Sequence, residues 1–171
     1  FVTLAKNETD LVARRAYLDR LFQYGNILYS IKSQATLRTL WGLVKSDPDR
    51  HWRTVAISRM LATSRITQLL DDPKETDWLF TWLVDEEQLK DRGQLLAAMV
   101  NNYSLRRKLL ELGHFDKLFE LVKIEPEAVR GQLLTRLISS SDAAKFFRTK
   151  EKTTQLIALA TEFTNANART E

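Results

Sequence analysis

The chain has 171 residues, 44% of them hydrophobic and 28% charged, a composition that suits one globular domain with a real core and speaks against a disordered or membrane-spanning chain. Cysteine is absent, and with two histidines, five glycines and three prolines the materials for disulfides, thiolate metal sites, phosphate loops and turn-rich β folds are missing or scarce. The net charge of +4 is mild but unevenly spread: Lys32 to Arg65 holds seven basic against two acidic residues, whereas Asp71 to Asp91 holds two basic against eight acidic ones. An acidic block therefore interrupts the basic stretches, which does not suit a continuous polyanion-binding stripe.

In chain order, residues 1–8 show no helical pattern and are expected to form a tail, and the chain, starting at Phe1 without methionine or signal segment, reads as a piece of something longer. From residue 9 onward apolar residues recur three and four apart, so the expected fold class is all-α. Between Pro48 and Thr63 the buried candidates Trp52, Val55, Ala56 and Met60 have helical spacing. Asp47 is the expected cap of that helix, with Pro48 in its first position, and Glu125 and Pro126 repeat the arrangement. Further apolar helices are expected at Leu37–Val44, Trp78–Val84, Phe115–Val122 and Gln155–Glu162. Residues 164–171 are polar and unpatterned, a second expected tail.

The helices repeat. Arg92, Gly93, Gln94, Leu95 and Leu96 recur as Arg130, Gly131, Gln132, Leu133 and Leu134, and Arg53 and Arg14 continue the series backwards at the same period of 38 or 39. Seven residues after each arginine comes an apolar pair, and potential helix caps line up at Asn26, Ser64, Ser104 and Asp142. Each of about four units thus reads as a long, a short and a medium helix. The stretch Ser104 to Ser141, with Leu105, Leu109 and Leu110, a turn at Gly113, then Leu118, Leu121 and Val122 and a break at Glu125 and Pro126, resembles an armadillo repeat, and HEAT repeats share the spacing. The turn glycine occurs in this unit alone; the turns near Gln34 and Asp72 lack it. The resemblance implies a right-handed α-solenoid over residues 9–163 that acts as a non-enzymatic protein-binding scaffold, since a curved array offers a long concave surface.

In armadillo proteins the third helices line the groove with tryptophan and asparagine. Carried over, the asparagine slot falls at Gln23, Ala62, Asn101 and Ser139 and the tryptophan slot at Asp19, Ser58, Ala97 and Thr135, so Asn101 alone matches. The long helices instead bring small residues into register: Thr54 with Gly93 and Gly131, Ser58 with Ala97 and Thr135, and Ala62 with Asn101 and Ser139. The expected binding surface is therefore Thr54, Ser58, Arg59, Ala97, Asn101, Thr135, Arg136 and Ser139, receiving a peptide, a helix or another part of the parent protein. Glycine inside a helix costs about 0.5–1 kcal/mol relative to alanine, so Gly93 and Gly131 can also mark close approach by another element.

The arginine series is expected to pack its stems and to pair its heads with carboxylates of adjacent helices. Trp41, Trp78 and Trp82 read as core, as does Trp52, although Trp52 lies beside His51 and Arg53 where a ring could face a ligand. Asp85, Glu86, Glu87 and Asp91 are explained by the preference of a helix N-terminus for negative charge. No cofactor, metal or membrane is expected, and the chain reads as soluble and cytoplasmic. The alternative is a nucleic-acid-binding helical repeat of the HEAT-like DNA glycosylase type, using Trp52, Arg53, Arg59, Arg106, Arg107 and Lys108 with Asp91 as the carboxylate.

Overall fold

A computed structural model describes residues 1–85, 89–139 and 141–162. The chain is all-α. Its helices are α1 (Val2–Asn7), α2 (Leu11–Gln23), α3 (Gly25–Ser30), α4 (Gln34–Lys45), α5 (Arg50–Leu61), a 3-10 turn at Ser64–Gln68, α6 (Pro73–Val84), α7 (Leu89–Asn101), α8 (Tyr103–Glu111), α9 (Phe115–Lys123), α10 (Glu127–Ile138), α11 (Ser141–Phe146) and α12 (Lys150–Glu162). The long helices pack in succession, α2 against α5, α5 against α7 and α7 against α10, and one core runs through them. Leu18, Leu40, Ile57, Met60, Leu61, Leu79, Leu95, Leu96, Met99, Leu118 and Leu137 are among its buried members, each on the apolar stripe of its helix.

Within residues 1–8, where a tail was expected, Val2–Asn7 form a helix. Val2 and Ala5, three residues apart, are buried as α1 packs on α2 and α4, which two apolar positions were too few to reveal by periodicity. Residues 164–171 lie outside the described residues.

The caps also differ from expectation. Asp49, not Asp47, caps α5, accepting from the Trp52 N–H at 3.0 Å. Asp47 is taken by Arg15 of α2, whose Nη2 and Nε reach its two oxygens at 2.6 and 3.0 Å. Hydrogen bonding to Asp47 holds the Arg15 guanidinium above its ordinary value, with the charges of Asp47, Asp49 and Asp19 adding to it. Asn102, rather than Ser104, caps α8 through the Leu105 N–H, and its Nδ2 donates to Leu61 O at 2.7 Å and Thr63 O at 2.9 Å, tying that cap to the end of α5. Ser64 opens the 3-10 turn without a side-chain cap, and Asn26 and Asp142 fall inside α3 and α11. Pro126 immediately precedes α10 as a residue without a capping side chain. At Gly113, φ is +72°, and the Gly113 and His114 N–H groups donate back to Leu110 O and Leu109 O, which ends α8 in the Schellman pattern.

The arginine series does one job three times and a different one once. Arg14 donates to Glu8 O, Arg53 to Lys45 O and Arg130 to Lys123 O, each a carbonyl at the C-terminal end of the preceding helix, where main-chain acceptors have no intrahelical donor. In the remaining unit the comparable carbonyl, Asp85 O, accepts from Arg50, and Arg92 turns instead to Glu125, with which it forms a buried ion pair. Carboxylate pairing, expected for all four, is seen at Arg92.

Candidate interaction surface

The long helices meet closely through their small residues. Thr54 is fully buried, its hydroxyl donating to Arg50 O, and Gly93 is buried where α7 crosses α10. A methyl at Gly93 would lie 3.2 Å from Val129 Cγ1 and 3.5 Å from Glu125 Oε2. The first small-residue slot is thus a helix contact, and Thr54, expected to line a groove, has no surface to offer. Ser58, Ala97 and Thr135 are half-buried; Asn101, Ser139, Arg59 and Arg136 are exposed. Arg136 Nη1 donates to Asn101 Oδ1 at 2.9 Å, joining α10 to α7 across this face. The asparagine that matched the armadillo slot is therefore engaged by its own chain, and the long-helix face is polar and short-sided.

A larger concavity lies elsewhere. Between α6 and α9 a groove of about 710 Å³ is lined by Phe80, Val84, Leu121 and Ile124 together with Asp77, Thr81, Asp85, Asp116, Lys117 and Glu120. Helical spacing explains the lining: Phe80 and Val84 are one turn apart on α6, beside the row Asp77, Thr81 and Asp85, and on α9 Leu121 follows Lys117 while Asp116 and Glu120 form the adjoining row. Phe80 and Leu121 are buried at the floor, whereas Val84 is 64% and Ile124 61% exposed. Lys117 Nζ sits 3.4 Å from Asp77 Oδ1 and 5.7 Å from the centre of the Phe80 ring. Val84 and Leu121 fell within stretches legible as apolar helices, but their spacing could not tell a core position from a groove wall. The visible signal was the acidic block from Asp71, which supplies Asp77 and Asp85 here.

The tryptophans are structural. Trp41 is buried, and its Nε1 donates to Glu75 at 2.6 Å; Lys45 reaches the same oxygen at 2.7 Å. Burial works against the Glu75 charge, but the hydrogen bonds from Lys45 and Trp41 and the Lys45 charge outweigh it and hold the carboxyl below its ordinary value. Trp78 packs edge-on against Trp41 with Lys45 over its ring, and the Arg53 guanidinium lies 3.8 Å from the centre of the Trp82 ring. Trp52 donates to Asp19 at 2.9 Å and leans on Phe22.

The residues nominated for nucleic acid are engaged separately. Arg53 is held as above, Arg106 donates to Val100 O, Arg107 pairs with Glu111 at 3.0 Å and Lys108 pairs with Asp71. Asp91 is buried beside exposed His51, with 3.2 Å between Oδ2 and Nδ1. Arg59 is exposed in the last turn of α5. Among the described residues no three His, Asp or Glu side chains converge as a metal site, and no helix is long and apolar enough to cross a membrane. Set against protein-family models, characterised proteins and solved structures, the chain matches none of them.

Proposed function

We propose that the chain is a short right-handed α-solenoid of about four armadillo- or HEAT-like units and that it serves as a non-enzymatic interaction module, docking a segment of a partner protein in the groove between α6 and α9. The succession of long helices and the 38–39-residue period support the repeat reading. The binding reading is carried by one observation: Val84 and Ile124 stand exposed over the apolar floor of Phe80 and Leu121 in the 710 Å³ groove. The acidic groove rim and the internal engagement of Arg53, Arg106, Arg107 and Lys108 favour protein over nucleic acid as the partner.

The test is site-specific photocrosslinking in cells from a benzophenone amino acid at exposed Thr81, identification of the crosslinked protein, and titration of that protein in pure form. The double variant Val84→Ser/Ile124→Ser should weaken its binding at least about tenfold, as expected when a central apolar anchor is removed. Retention of affinity by that variant, with loss by Arg59→Ala/Arg136→Ala, would move the site to the long-helix face.

A further inference from the structure

We infer that the segment docked between α6 and α9 is a basic amphipathic helix, an inference that rests on the groove being the docking site and adds the chemistry of its occupant. Four carboxylates, Asp77, Asp85, Asp116 and Glu120, line the groove with Lys117, and with Lys123 and Lys152 standing behind Glu120 and Asp116 the rim of the apolar floor still keeps carboxylates in excess. Three of these carboxylates are already near lysines of the chain: Asp77 near Lys117, Glu120 with Lys123 at 2.8 Å, and Asp116 with Lys152. Asp77 and Lys117 are both more than half exposed, so their ion pair is worth about 0–1 kcal/mol and is exchanged at little cost for a partner cation. Lys123 and Lys152 are 28% and 19% exposed and are held more firmly, so a partner cation would meet the exposed side of Glu120 and Asp116 rather than displace these lysines. Lys117 displays the matching chemistry, its ammonium lying both over the Phe80 ring and beside Asp77.

Shape points to a helix rather than an extended strand. The walls are themselves two helices with no free main-chain edge, so an extended segment would find no ladder of hydrogen bonds, while a helix satisfies its own main chain and needs only an apolar stripe. The shorter wall, α9, has nine residues, or roughly 14 Å of axis at 1.5 Å per residue, which two to three turns of a partner helix would cover. The fitting occupant carries leucine-sized residues at i, i+3 or i+4, and i+7, flanked by lysine or arginine. A contact this short falls in the small, transient class of interfaces.

The experiment titrates the whole chain with two synthetic helical peptides of about 14 residues that share one leucine stripe and differ in having lysine or glutamate on its flanks, read by methyl NMR at Val84, Leu121 and Ile124. The lysine peptide should shift these methyls, bind at least about tenfold more tightly than the glutamate peptide, and lose that advantage in Asp77→Asn/Glu120→Gln and at high salt. Equal binding of both peptides would overturn the charge assignment while leaving the groove as a docking site. If neither peptide moves the methyls, the helical occupant is overturned as well. Concentration-dependent shifts of the same methyls without peptide, abolished by Val84→Ser/Ile124→Ser, would replace the basic helix with a second copy of this chain.

Discussion

Two helix junctions in this chain meet in opposite ways. Where α7 crosses α10, Gly93 leaves room for Val129, whose Cγ1 would lie only 3.2 Å from a methyl added there, and the buried Arg92–Glu125 pair locks the crossing. Where α6 faces α9, a groove of about 710 Å³ remains, with Phe80 and Leu121 buried at its floor and Val84 and Ile124 exposed above them. Small residues in register therefore close one junction, while at the other large apolar residues stand uncovered at the edge of an open groove. A floor of small residues is a poor guide to a groove when those residues are what allow two helices to touch.

The largest test of the contrast is to remove the lock. Arg92 and Glu125 are 7% and 3% exposed, so Arg92→Met leaves a carboxylate buried without its partner and should destabilise the chain by about 3–5 kcal/mol in urea melts. The double change Arg92→Met/Glu125→Leu should recover most of that loss, because the stranded charge is gone; a double variant no better than the single would mean that geometry, not charge, fails at this crossing. Next in size are Leu95→Ala and Leu133→Ala on the buried stripes of the same two helices, each expected to cost about 2–5 kcal/mol through the cavity left behind. A loss under about 1 kcal/mol for either would break the assignment of this junction as closely packed.

Smaller again is Ser58→Trp/Ala97→Trp. Both positions are half-buried on α5 and α7, so an indole at each overfills a close contact, and a destabilisation of about 1–3 kcal/mol is expected. An unchanged melt would show that the long-helix face has room, narrowing the difference between the two junctions.

The sequence made helix type and helix order legible because apolar spacing is a local property: Leu37, Trp78, Phe115 and their followers lie on the helices expected of them. The period of the arginines was equally plain, but not what their heads would bind. Three reach main-chain carbonyls, partners that carry no residue identity and leave no trace in composition. Asp47 was the expected cap, but Arg15, 32 residues away, engages it and Asp49 caps the helix in its place. Val84 and Ile124 illustrate the limit at the groove, since an apolar residue at helical spacing faces a neighbour only if the neighbour is near, and that distance is set by the packing of α6 and α9.

Another junction, between α4 and α6, is bridged by the Glu75 carboxylate with Trp41 and Lys45, beside the edge-on contact of Trp41 with Trp78. Because the folded protein holds Glu75 below its ordinary pKa, this contribution is fully present above the unfolded value of about 4.3 and is lost as pH falls through the lower folded value. Urea midpoints of wild type and Glu75→Gln should therefore differ at pH 6 and converge as the pH falls through the lowered folded value. A gap that persists undiminished in acid would mean that the glutamine loses shape or hydrogen bonding rather than charge.

The smallest expected effect on stability comes from the pair that matters most for the open junction. Val84 and Ile124 are largely exposed, so their side chains bury little apolar area in the free chain, and serine at both should move the melt by no more than about 0.5 kcal/mol. That near-silence is what an unfilled groove requires: residues that packed α6 onto α9 would resist truncation, whereas residues waiting for a partner would not. The measurement is a urea titration of Val84→Ser/Ile124→Ser beside Leu121→Ala, whose side chain is 6% exposed on the same groove wall and should cost about 2 kcal/mol or more. Equal and large losses from both variants would show α6 and α9 to be packed as tightly as α7 and α10, and the groove would close with them.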